Sequence, residues 1–227
     1  MVVVEHGTVV DVPTDPADGL TVDTAGSGVE VTMTPLDETL GEFDLVAGDP
    51  VAVAEGDGYE TVAQPLADGD FRLAVTISGP ESPHSFAYEM ELPDGASALK
   101  RSDGGFDFVD AAGVVVGGLG APWGEDAAGQ PVAVTYDLVG NVLTRTVAIS
   151  DAAAYPVLTN WCLFGKNPNG SCRGSRVVKD ALYDFAWYAV GTLVCAPVAI
   201  ATTPAGGAVC AGSVSALKFA VEQRRKK

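Results

Sequence analysis

The chain has 227 residues, 30 of them acidic and 13 basic, giving a formal net charge of −17, with 47% apolar residues and a mean hydropathy of +0.22. That length and apolar content suffice for a buried core in one or two domains and exclude wholesale disorder. The acidic balance excludes nucleic acid as the partner of the main body, because such binding rests on Lys and Arg neutralising phosphates.

The charge is unevenly placed. Residues 1–155 carry four basic and 27 acidic side chains, a balance of −23, whereas residues 156–227 carry nine basic and three acidic ones, a balance of +6. All four cysteines fall in the second part. Two unlike pieces are therefore joined near residue 155.

Residues 1–25 read as a turn-rich, extended lead-in, either an edge strand or a loose segment. The opening MVVVEHGTVV has no basic n-region, no long apolar run and no small-residue cleavage site, so no secretory signal is visible. Taken literally, this keeps the product in the cytoplasm. An even set of cysteines in a short tail points instead to an exported, disulfide-bonded protein of the cell envelope or exterior.

From residue 26 to 157 short runs alternate apolar and polar side chains with period two, the pattern of half-buried strands. The runs are Val29–Thr34, Tyr59–Leu66, Phe71–Ile77, Ser85–Leu92, Phe106–Val109, Val114–Leu119, Val132–Val139 and Val142–Ile149. Turn signals separate them at Ala67-Asp68-Gly69-Asp70, Pro93-Asp94-Gly95, Asp103-Gly104-Gly105, Asp110-Ala111-Ala112-Gly113 and Gly140-Asn141. About ten short strands at this spacing predict an antiparallel β-sandwich-like domain or an open barrel. Many of the acids sit in the turns, where Asp bonds its own backbone. Calcium binding by Asp68/Asp70, Glu55/Asp57 or Glu125/Asp126 is the competing reading, but no run has the ligand spacing of a calcium loop. No metal or cofactor is expected.

Trp123 after Pro122 reads as a core anchor at a strand boundary, and Tyr155-Pro156 as an extended exit from the domain. Ala121-Pro122-Trp123, Asp126-Ala127-Ala128-Gly129, Gly140-Asn141-Val142-Leu143 and Tyr155-Pro156-Val157 occur in that order, after Phe86 to Ala96 upstream. Over roughly residues 60–160 this set resembles a β-rich module of many secreted or surface-exposed, mostly uncharacterised proteins of Gram-positive bacteria. The resemblance implies export and a sandwich-like module, and it supplies no catalytic residues. The chain departs from that pattern at Leu158-Thr159-Asn160-Trp161, where an acidic-proline ending is usual.

Residues 158–227 are expected to form a small, basic, disulfide-bonded α-helical hairpin. Cys162 and Cys172 flank the turn signal Asn167-Pro168-Asn169-Gly170, and Cys195 and Cys210 flank Pro204-Ala205-Gly206-Gly207. Three pairings are open, and the turns favour 162–172 with 195–210. The spacing is not that of zinc ligands, and the tail has no histidine. An apolar stripe through Val178, Leu182, Phe185, Ala189 and Leu193 marks the first helix. No charged residue occurs from Ala186 to Leu217, and the chain ends Arg224-Arg225-Lys226-Lys227. Membrane contact through Phe185, Trp187, Tyr188, Leu193 and those four cations is a candidate property.

Catalysis is not expected. His6 lies in the lead-in, His84 reads as a strand-edge residue, and no nucleophile elbow, phosphate loop or HExxH motif occurs. The reading is a non-catalytic secreted or cell-surface protein whose partner is another protein or an envelope component. Two alternatives give the tail a larger part: a bacteriocin-like, membrane-active peptide carried by the acidic domain, or a membrane anchor.

Overall fold

Alternation sets the architecture. In the computed structural model, residues 2–5, 8–24, 29–45, 51–65 and 70–164 are described. They contain sixteen strands: β1 Val2–Glu5, β2 Thr8–Asp11, β3 Leu20–Thr24, β4 Val29–Pro35, β5 Asp44–Leu45, β6 Ala52–Gly56, β7 Tyr59–Pro65, β8 Phe71–Ile77, β9 Ser85–Glu91, β10 Ser97–Lys100, β11 Phe106–Val109, β12 Val115–Leu119, β13 Trp123–Asp126, β14 Ala133–Val139, β15 Val142–Ala148 and β16 Val157–Phe164. No α-helix occurs among the described residues, only the 3-10 turn Pro16–Asp18. None of these elements is a helix long and apolar enough to cross a membrane.

All the pairings between strands are antiparallel and they build two sheets. The first runs β1-β2-β3-β4-β9-β15-β14, and the second β10-β11-β12-β16-β8-β7-β6-β5, with β13 also on β16. The sheets face one another across an aromatic seam. Tyr59 of β7 meets Phe86 of β9 edge-on at 5.0 Å, and Trp161 of β16 meets Tyr88 of β9 at 5.9 Å. Each inward row follows the period-two rule: Phe86, Tyr88 and Met90 on β9, and Leu143, Arg145 and Val147 on β15, are all buried. Burying one Phe-sized side chain contributes about 1.5–3 kcal/mol, so the seam is a principal source of cohesion.

Two tight turns show how residue type sets register. Gly140-Asn141 joins β14 to β15 with Val139 opposite Val142, and Gly140 takes φ +63°. Asp57-Gly58 joins β6 to β7 with Gly56 opposite Tyr59, and Gly58 takes φ +77°. Both need the left-handed backbone that glycine adopts without strain.

Three expectations are corrected. Residues 1–25 are more than a single edge strand or a loose lead-in: β1, at the edge, and then β2 and β3 are strands of the first sheet, and Val10, Leu20 and Val22 are buried. The sandwich does not end at residue 157 either. Val157–Phe164 forms β16, an interior strand paired with β8, β12 and β13. The stretch reads apolar on both faces, with Thr159, Trp161 and Leu163 buried in one row and Leu158 and Cys162 in the other, as an interior strand requires. Tyr155–Pro156, a cis peptide bond, thus leads into a strand rather than out of the domain. Finally, Trp123 is only half-buried at the start of β13, and the tryptophan of the core is Trp161. The chain divides after Arg173; the expected helical hairpin, from 165 onward, lies outside the described residues.

Candidate functional site

Between β4 and β5 the chain crosses from the first sheet to the second, and a cleft of about 420 Å³ opens beneath the crossing segment. Leu36 extends the β4–β9 ladder by one bond, its N–H donating to the Ala87 carbonyl at 2.9 Å. Asp37 then begins a turn. Its Oδ1 accepts from the Thr39 amide at 2.8 Å and the Thr39 hydroxyl at 2.7 Å, and the Leu40 amide donates to its carbonyl at 3.2 Å. This local bonding is what Asp offers in place of helix or ladder. Gly41 donates to the Glu55 carbonyl of β6 at 2.8 Å, which fastens the segment to the second sheet.

The second sheet supplies Tyr59 and Thr61 from β7, and the first supplies Ser85, Phe86, Ala87 and Tyr88 from β9. Tyr59 Oη donates to Asp37 Oδ2 at 2.6 Å, closing a bridge over the gap between the sheets. The Tyr59 ring lies over Gly56: a Cβ there would stand 2.2 Å from Cε1 of the ring. Glycine at 56 is therefore what lets the phenol reach across.

Burial alone would raise the Asp37 carboxyl, but the bonds from Tyr59 and Thr39 outweigh it and hold the group below its ordinary range. Burial, reinforced by the Asp37 bond, pushes the Tyr59 phenol well up. Asp37 is thus a fixed anion and Tyr59 a fixed neutral donor across the physiological range.

Behind the aromatic wall lies Arg145, fully buried. Its Nη2 donates to Tyr88 Oη at 2.7 Å, and its guanidinium carbon stands 5.3 Å from the Phe86 ring centre and 5.6 Å from that of Tyr88. Its Nε and Nη1 have no hydrogen-bond partner among the described residues. Arg145 does not line the cleft; it braces two of the rings that do.

The sequence-derived candidates fall elsewhere. His84 directly precedes β9 and its carbonyl accepts from the Val147 amide at 2.8 Å. Asp126, weighed for calcium, is buried and serves its own turn: Oδ1 accepts from Ala128 at 2.9 Å and Gln130 at 2.8 Å, and Oδ2 from Ala154 at 3.0 Å. Asp103 and Asp110 bond the amides of Gly105 and of Ala112 and Val114 in the same manner. Glu55 is the penultimate residue of β6 and Asp57 begins the tight turn after it, both exposed. Among the described residues no three His, Cys, Asp or Glu side chains converge on a metal-sized site. Cys162 is buried on β16. Its companions Cys172, Cys195 and Cys210, the membrane-contact candidates Phe185 to Leu193, the terminal cations Arg224 to Lys227, and His6 lie outside the described residues.

Sequence reasoning missed the cleft. Asp37-Glu38-Thr39 carried an Asx-turn signal, and Arg145 stood at an inward position between Leu143 and Val147, but the pairing of Asp37 with Tyr59 spans 22 positions. No protein-family model, curated protein or solved structure matches this chain.

Proposed function

We propose that the chain is a non-catalytic, exported binding module of the cell exterior or envelope, which takes a small group of its ligand or partner into the cleft beneath residues 36–40. The observation that carries this reading is the Asp37–Tyr59 bridge. It joins a polar pair of fixed protonation to an apolar wall of Pro35, Leu36, Leu40 and Phe86, the combination by which pockets orient a ligand. A carboxylate held ionised by three neutral donors suits binding, whereas a general acid or base works best with a pKa near the operating pH. Export is favoured by the cysteines of the tail and by the resemblance over residues 60–160. Cell fractionation with N-terminal sequencing of the mature product tests it. The protein is expected in the medium or envelope fraction; a cytoplasmic protein with four free thiols after unfolding would overturn the reading.

A second reading is favoured by the +6 balance of residues 156–227 beside the uncharged stretch Ala186–Leu217. A cationic, apolar tail of this kind associates with anionic lipid. The full chain should then release dye from anionic but not from neutral vesicles; absence of leakage at micromolar protein would sink it. If the tail is an anchor instead, the protein stays with membranes through a carbonate wash.

A further inference from the structure

We infer that the cleft beneath residues 36–40 selects an organic cation, namely a primary ammonium group carried on a short apolar chain, such as a free alkylamine or a lysine side chain. The inference rests on the proposed use of the cleft for binding and adds the class of ligand. Four observations carry it. First, every bond to Asp37 comes from a neutral donor: the Thr39 amide, the Thr39 hydroxyl and the Tyr59 phenol. The carboxylate is half-buried, and among the described residues no Lys or Arg bonds to it. Second, the bonding is lopsided. Oδ1 accepts twice and Oδ2 once, and a carboxylate offers about four acceptor sites, so Oδ2 keeps one for a further donor. Third, Asp37 and Glu38 are the charged residues of the lining, and no Lys or Arg belongs to it. Fourth, the walls are apolar or aromatic through Pro35, Leu36, Leu40, Phe86 and Ala87, and the volume of about 420 Å³ lies in the range of small-ligand sites.

An ammonium head on Oδ2 with a hydrocarbon body against Leu36, Leu40 and Phe86 meets both halves of this lining. An anion does not: it would face two carboxylates, in a part of the chain with a balance of −23. Arg145 does not reverse this, because it sits behind Phe86 and Tyr88 and is committed to Tyr88.

The test titrates the ¹⁵N-labelled full chain with n-pentylammonium, n-hexanol and hexanoate at constant ionic strength and neutral pH, following backbone amides by NMR. The amine is expected to shift Thr39, Tyr59, Phe86 and Ala87 saturably, and the other two probes are not. Nα-acetyl-lysine methylamide run beside the free amine separates the two sources of the group, the tighter of them naming the natural one. Asp37→Asn keeps an acceptor for Thr39 and removes the charge, and should weaken the amine about tenfold. Tyr59→Phe leaves the charge and frees Oδ2, so the amine should bind at least as tightly as in the wild type. Equal binding of amine and hexanol, with no effect of Asp37→Asn, would overturn the cation inference while leaving the cleft a binding site. Binding of hexanoate in place of the amine would overturn it by sign. No shift at these amides with any probe would overturn the binding reading itself.

Discussion

Arg145 donates to the hydroxyl of Tyr88 at 2.7 Å in the middle of the sandwich, and both residues are buried. A guanidinium is rarely placed in a core without a carboxylate, since desolvating a charge costs several kcal/mol. Here the compensation is aromatic: Phe86 and Tyr88 both flank the cation, a contact worth about 2 kcal/mol when desolvated. Two of its nitrogens have no partner among the described residues, so the compensation there is incomplete.

Volume and charge at this position therefore have opposite values. Arg145→Ala should cost about 2–5 kcal/mol by leaving a void between the sheets. Arg145→Met fills the space and removes the charge, and should stay within about 1.5 kcal/mol of wild type. Tyr88→Phe should cost about 1–3 kcal/mol in the wild type but little in the Arg145→Met background. Urea denaturation of the wild type and these four variants decides it. If Met is as damaging as Ala, the charge itself holds the sheets together.

Asp126 links the turn after β13 to Ala154, just before β16. The amides of Ala154, Gln130 and Ala128 hold its carboxyl below the ordinary range. A depressed carboxylate means that the unfolded chain binds the extra proton first, so this group stabilises the fold above the unfolded value of about 3.9 and loses that contribution as pH falls through the folded value. Stability measured from pH 6 to pH 2 should fall more gently for Asp126→Asn than for wild type, from a lower starting point. Parallel curves would show that Asp126 does not contribute to the acid limb.

Lys100, on the edge strand β10, donates from Nζ to the Tyr136 carbonyl of β14 at 2.7 Å and stands 5.8 Å from the Phe106 ring centre. β14 is one of the two edge strands of the first sheet, and an unpaired edge is a template for another chain. Lys100→Met should change stability by less than about 1 kcal/mol, since the side chain is exposed. It should nonetheless raise self-association, read as a larger weight-average mass in sedimentation velocity. An unchanged distribution would show that Lys100 does not guard this edge.

The strands of the middle of the chain were legible because each carries its own signal: alternation bounded by Asp-Gly or Gly-Asn. Phe106–Val109 emerges with its expected bounds, and Phe71–Ile77 likewise. β16 was not legible. Its period-two signal is erased by burial on both faces, and its cysteine drew it to the tail. β10 has no buried residue, and β13 buries only Gly124 and Asp126, so neither carries the apolar row by which alternation is recognised. The cleft was hidden for a different reason. Asp37 and Tyr59 meet only because β4 and β7 lie in opposite sheets, and nothing local to either residue encodes that.

The position of Tyr59 rests on Gly56, and this dependence is separable from ordinary packing. A Cβ at 56 would overlap Cε1 and Cζ of the ring at 2.2 and 2.3 Å. The ring cannot swing clear at small cost, being buried, bonded to Asp37 and set edge-on to Phe86. Gly56→Ala should therefore destabilise the domain by about 1–3 kcal/mol and move the Thr39 and Phe86 amide resonances. Removing the ring as well should abolish most of that cost, so the Gly56→Ala/Tyr59→Ala pair should be less destabilised than the sum of its parts. Simple additivity in the denaturation cycle would mean that the strain lies in the β6–β7 turn instead, and that the bridge to Asp37 does not depend on the glycine.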